Sequence, residues 1–184
     1  NIYFSCDSGN IVPVLENINT STERLFIKFG VVDEINLRAI SILITHNKNI
    51  KDLVICSYYK IPNTLCFEEL RDAFAQNTTI KKIQFCPFYF PHKTFPKLVD
   101  GFGKNNSITH YSFYDCKLSG YDIEFISEKF KYKNIIELSI RVITDDDDQS
   151  YDLQKPLLQL LKTNTFIKKL GLQFFDWEYD TFTK

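Results

Sequence analysis

The chain has 184 residues, 44% of them hydrophobic and 15% aromatic, which is enough to bury a sizeable core and excludes an intrinsically disordered chain. Its 22 Lys and Arg against 23 Asp and Glu leave a net charge of -1, so it lacks the global basic field that non-specific nucleic-acid binding needs. No apolar run approaches the roughly 20 residues of a membrane span, and no charged start, apolar middle and small-residue cleavage site marks a signal peptide.

The chain opens on Asn1 and contains no Met, and is expected to be a piece or processed form of something longer. In IYFSC, Ile2 and Phe4 alternate, which reads as the last strand of a preceding repeat or as a cap. IVPVLENIN follows as a short helical segment, and TSTERLFIKF carries Leu25 and Ile27 as an apolar-x-apolar pair. DEINLRAISILITHN then has helical periodicity, and NKNIKDLVIC brings Ile50, Leu53 and Ile55. Next comes CFEELRDAFAQN, in which Phe67, Leu70, Ala73 and Phe74 share one helix face and Glu68, Glu69, Arg71 and Asp72 the other. NTTIKKIQFC supplies Ile80, Ile83 and Phe85; TFPKLVDGFGKN is helical; NNSITHYSFY supplies Ile108, Tyr111 and Phe113. The helical GYDIEFISEKFKYKN leads to YKNIIELSIR, with Ile135, Leu138 and Ile140. The helical YDLQKPLLQLLKTN leads to NTFIKKLGLQ, with Ile167, Leu170 and Leu172.

The first residues of these pairs, Leu25, Leu53, Ile83, Tyr111, Leu138 and Leu170, are separated by 28, 30, 28, 27 and 32 residues. Such a period, with one strand and one helix per unit, is a repeat array. One unit cannot bury both its strand and its helix face, so consecutive units must stack, strands beside strands and helices beside helices. Helices are wider than the strand spacing of about 4.8 Å, which puts the sheet on the concave side of an arc. Asn47, Asn77, Asn105 and Asn164 stand where helix gives way to strand. Asn tolerates the left-handed conformation that commonly ends helices and is expected to act there as a hinge.

In period and phrase the chain resembles the ribonuclease-inhibitor-like class of leucine-rich repeats over nearly its whole length. YSFYDCKL comes closest to that class's L-x-L-x-x-N/C-x-L phrase, with Tyr111, Phe113, Cys116 and Leu118 in the marked places, and Cys116 reads as a buried substitute for Asn. The resemblance implies a single α/β domain over residues 1–184. It would be a right-handed β-α solenoid of about six repeats, with parallel strands on the concave face and helices on the convex one. Within the class, the segment from Asn47 onward is similar in layout to the C-terminal repeat domain of tropomodulin and leiomodin. The similarity is carried by NTTIKKIQF, NNSITHYSF, NIIELSIRVI and NTFIKKLGLQF and by the polar insertion ITDDDDQSYD. It implies a non-enzymatic, cytoplasmic protein-interaction module that contacts actin or caps filaments. The alternative is a repeat adaptor or effector domain that recognises a non-cytoskeletal protein.

Candidate chemistry is sparse. Cys6, Cys56, Cys66, Cys86 and Cys116 are odd in number with no C-x-x-C pair, which fits neither a disulfide framework nor a zinc site and favours a reducing setting. His46, His92 and His110 fall in different units, and none joins a Ser, Cys or carboxylate in a catalytic phrase. Gly101, Phe102 and Gly103 lack the Lys and Ser/Thr of a phosphate loop and read as loosening a helix end. The run Asp145 to Asp148 lacks the order of a calcium loop and reads as a solvated acidic loop. Trp177, Phe174, Phe175 and Tyr179 either cap the last repeat, the favoured reading, or form an exposed patch. No cofactor, metal or small-molecule substrate is implied.

What remains is the strand face. Arg24, Asp52, Lys82, His110, Glu137 and Lys169 precede the apolar pair; Phe26, Val54, Gln84, Ser112, Ser139 and Gly171 sit inside it; Lys28, Cys56, Cys86, Tyr114, Arg141 and Gln173 follow. These columns are expected to face the open concave surface. They either bind a protein partner or merely solvate the sheet. The binding candidates are Lys82, His110, Tyr114, Glu137, Arg141 and Lys169, with Tyr114 and Arg141 as the hot spots.

Overall fold

The computed structural model describes residues 1–6, 15, 18, 21–59, 61–62, 65, 67–90, 94–144 and 154–176. Seven strands pair in chain order into one sheet: β1 (Ile2–Cys6), β2 (Arg24–Phe29), β3 (Asp52–Ser57), β4 (Lys82–Phe85), β5 (His110–Lys117), β6 (Glu137–Thr144) and β7 (Lys169–Asp176). Every pairing is parallel. A helix follows each strand from β2 to β6: α1 (Glu34–His46), α2 (Glu68–Gln76), α3 (Phe95–Lys104), α4 (Gly120–Phe130) and α5 (Gln154–Thr163). Ile2 lies opposite Leu25, so IYFSC is the first strand of the sheet. IVPVLENIN lies almost wholly outside the described residues. Among the described residues, no helix is long and apolar enough to cross a membrane.

The strands form because apolar residues recur with period two on the face toward the helices, the opposite face being largely polar from β4 onward and apolar around β1 to β3. Leu25, Ile27, Leu53, Ile55, Ile83, Phe85, Tyr111, Phe113, Leu138 and Ile140 are all 1% exposed or less. Against them pack Ile40, Leu70, Phe74, Leu98, Phe102, Ile126 and Phe130 from the helices, and consecutive helices pack on one another. The core is therefore a single continuous layer between sheet and helices. Its middle is aromatic: the Phe85 ring meets Phe88, Phe90, Phe102 and Phe113, the last stacked at 6.1 Å. Each such ring stabilises by roughly 1.5–3 kcal/mol on burial, before any ring-pair geometry is counted. Burial weakens at β7, where inward-facing Leu172 is 40% exposed.

The helix starts are specified locally. The Asp33 carboxylate accepts from Asn36 N at 2.8 Å to cap α1, Pro96 sits in the first turn of α3, and Ser119 with Asp122 forms a capping box on α4.

The helix ends depart from expectation. Asn47, Asn77 and Asn105 are extended, with φ of -75°, -70° and -75°, so no left-handed conformation is being accommodated. The reason lies in the side chain. Each Oδ1 accepts two backbone N–H groups of the following turn, from Thr79 and Ile80 at Asn77 and from Ser107 and Ile108 at Asn105. Each buried Nδ2 reaches back one repeat: Asn77 to Ile44 O, Asn105 to Phe74 O and Asn77 O, and Asn164 to Phe130 O and Lys133 O. Only an amide offers acceptor and donors together at this length. At the equivalent position of the next repeat, three before Ile135, stands Tyr132 in place of the Asn, and there the Lys133 ammonium donates to Gly103 O and Asn105 O, and burial pushes its pKa down.

Gly101 also differs from expectation. It lies buried inside α3, where an added Cβ would stand 2.4 Å from Arg71 O. It permits the close approach of α2 and α3 rather than loosening a helix end.

Candidate functional site

The five described helices lie on one side of the sheet, and no described helix covers its other face, an unusual exposure for an all-parallel sheet. The register assembles that face as the columns require. Arg24, Asp52, Lys82, His110, Glu137 and Lys169 are successive partners across β2 to β7. Phe26, Val54, Gln84, Ser112, Ser139 and Gly171 follow suit, and Tyr114 pairs with Arg141, which pairs with Gln173. The structure thus brings all six candidate residues onto four neighbouring strands. Lys82, Arg141 and Lys169 are exposed, while His110, Tyr114 and Glu137 are half-buried.

The first column is a row of alternating charge. Arg24 pairs with Asp52 at 3.2 Å and Lys169 with Glu137 at 3.6 Å. His110 sits between Lys82 and Glu137, with Nδ1 2.8 Å from the Thr109 hydroxyl. Partial burial and then the Lys82 cation push the His110 pKa down, against the opposing pull of Glu137, so the imidazole is neutral near pH 7. Arg141 Nε donates to Asp115 Oδ1 at 2.9 Å. Asp115 has a φ of 53° at a bulge between Tyr114 and Cys116, and this conformation aims its carboxylate at β6. The bulge also sends Cys116 inward, fully buried, with Sγ 3.6 Å from Phe85 O and Tyr114 O.

The face is not open throughout. Val54 and Cys56 belong to the outward columns yet are only 2% and 3% exposed. Here the face is apolar and crowded: Tyr3 stacks on Phe26 at 4.4 Å, the Lys28 ammonium lies 5.2 Å from the centre of the Tyr58 ring, and Cys56 adjoins Cys86. Sequence reasoning missed Asp115 and Thr109 as partners of Arg141 and His110. Thr109 could have been found from its adjacency to His110 in the chain, whereas Asp115 lies 26 residues from Arg141 and was signalled only by the readiness of Asp to adopt positive φ.

Other candidates lie elsewhere. His46 is exposed at the end of α1. It lines a groove of about 530 Å³ with Leu15, Ile35, Arg38, Ala39, Ile42, Leu43 and Asn47, none of which is among the six binding candidates. His92, Cys66, Asp145 to Asp148, Trp177, Tyr179 and the side chains of Cys6, Phe174 and Phe175 lie outside the described residues. Among the described residues no three His, Cys, Asp or Glu side chains group in a way that could hold a metal ion.

Fold and site together define a class: a strand–helix repeat array that presents one broad, mixed-charge sheet face. Compared with known proteins, the chain matches no family model and no curated protein.

Proposed function

We propose that the chain is a non-enzymatic protein-interaction module of the leucine-rich-repeat kind and that its open sheet face is the binding surface. One observation carries this reading. Lys82, His110, Tyr114, Glu137, Arg141 and Lys169 converge on the helix-free face of four adjacent strands. Their mixture of aromatic, arginine and paired charges has the texture of a protein interface rather than of a phosphate track. Tyr114 and Arg141 side by side are the anchor, since aromatic and arginine side chains dominate binding energy at such surfaces. The resemblance in layout to the tropomodulin repeat domain is what points to actin as the most concrete partner and to the cytoplasm as the setting.

The test is cosedimentation with actin filaments and pyrene-actin assembly, run beside affinity capture from lysate. The wild-type chain is compared with a Tyr114→Ala, Arg141→Ala double variant. Loss of about tenfold or more in affinity for actin in the variant supports the reading. An effect on neither filament end, with a different protein captured only by the wild-type chain, transfers the same surface to a non-cytoskeletal partner. Capture unaffected by the substitutions removes the open face as the site.

A further inference from the structure

We propose that Cys56 and Cys86 form an oxidisable dithiol on the sheet face opposite the helices, which a low-molecular-weight disulfide converts to an intramolecular disulfide joining β3 to the end of β4. The register runs from Asp52 opposite Lys82 to Ile55 opposite Phe85, and the next residue in each segment is the cysteine, Cys56 within β3 and Cys86 just past the end of β4. Backbone hydrogen bonds hold the strands together on both sides of the pair: Cys86 N donates to Ile55 O at 3.0 Å and Ser57 N to Pro87 O at 2.7 Å. Neighbouring strands stand about 4.8 Å apart, inside the roughly 4.4–6.8 Å between α-carbons that a disulfide spans. Alternation puts both side chains on the face opposite Ile55 and Phe85, and the thiols lie within hydrogen-bonding reach of each other. Both are free. Cys116, one strand further on, points into the core and is excluded from the pair by the sheet itself.

The two sulfurs differ in role. Cys56 is buried, and that burial pushes its thiol up to about 12, whereas Cys86 is only half-buried. Cys86 is therefore the entry sulfur. Its thiolate attacks R–S–S–R and releases one RS⁻, leaving a mixed disulfide on Cys86. Cys56 then gives up its proton and attacks the Cys86 sulfur, expelling the second RS⁻. Two protein thiols are oxidised to one disulfide, and R–S–S–R is reduced to two RSH that carry the two protons.

The full chain, and a variant carrying Cys6→Ser and Cys66→Ser, are incubated with oxidised glutathione, quenched by alkylation and mapped by mass spectrometry. The expected result in both is that Cys56 and Cys86 carry no alkyl group and appear as a cross-linked peptide two hydrogens lighter than its two reduced components, which dithiothreitol reverses. Adding Cys56→Ser leaves a persistent glutathione adduct on Cys86. The proposal is overturned by a persistent adduct on Cys86 while Cys56 is present, or by a link that involves Cys116. It is equally overturned if both thiols stay unmodified while circular dichroism shows the fold intact.

Discussion

The side-chain amide of Asn105 donates to the backbone oxygen of Asn77 at 2.6 Å, so one helix-terminal asparagine is bonded to the equivalent residue a repeat earlier. The same amide also holds Phe74 O at 2.7 Å, and its oxygen accepts from Ser107 N and Ile108 N. All but the half-buried bond from Ser107 N are buried, and together they tie each turn both to itself and to its neighbour.

Replacing Asn105 with Ala leaves buried carbonyls and amides unsatisfied, and is expected to destabilise by about 2–4 kcal/mol. Asn105→Gly should cost as much. Glycine would be tolerated if the residue were needed for a left-handed backbone, but φ here is -75°. Urea denaturation of the two variants decides between the accounts: a mild glycine variant beside a severe alanine one would revive the hinge.

Gly101→Ala is expected to destabilise by about 1–3 kcal/mol, because the new methyl meets Arg71 O, a backbone atom that cannot swing aside. Gly103→Ala meets only Lys129 side-chain carbons, at 3.5 Å and beyond, and should gain roughly 0.5–1 kcal/mol from helix propensity. Thermal unfolding of the pair should give shifts of opposite sign. Equal shifts would mean that α2 and α3 are further apart than described.

Tyr111 occupies a place held by Leu or Ile in the other repeats, and its fully buried hydroxyl has no hydrogen-bond partner among the described residues. Its ring packs between Phe102 and Phe130, which are well served by an apolar edge. Tyr111→Phe keeps the ring and removes the orphan, so stability should rise by about 1 kcal/mol, or about 2–4 °C in Tm. A loss of stability would reveal a partner for the hydroxyl.

His110 confers a pH dependence whose sign follows from its lowered pKa. Between that lowered value and the ordinary 6.5, the unfolded chain binds more protons than the native one, so stability falls as pH drops through this window. Lys82 and Lys169 strengthen the effect and Glu137 opposes it. Denaturation midpoints measured from about pH 7 down to about pH 5 should therefore fall more steeply for the wild-type chain than for His110→Gln. Parallel curves would show that the imidazole is solvated and not held against Lys82.

Much of this architecture is legible in the chain because it is set by local pattern. Alternation of period two decides which face of a strand is apolar, and the apolar pairs from Leu25 to Ile140 are buried as that pattern requires. Their spacing alone aligned Lys82, His110, Glu137 and Lys169 in one row, since stacked repeats of similar length pair equivalent positions. Contacts between residues about thirty positions apart needed the tertiary structure. The reach of Asn105 to Asn77, the approach of Gly101 to Arg71 O, the burial of Val54 and Cys56 on the outward face and the meeting of Cys56 with Cys86 depend on distances between repeats. No local periodicity encodes those distances, because how closely two repeats approach is decided by the side chains of both at once.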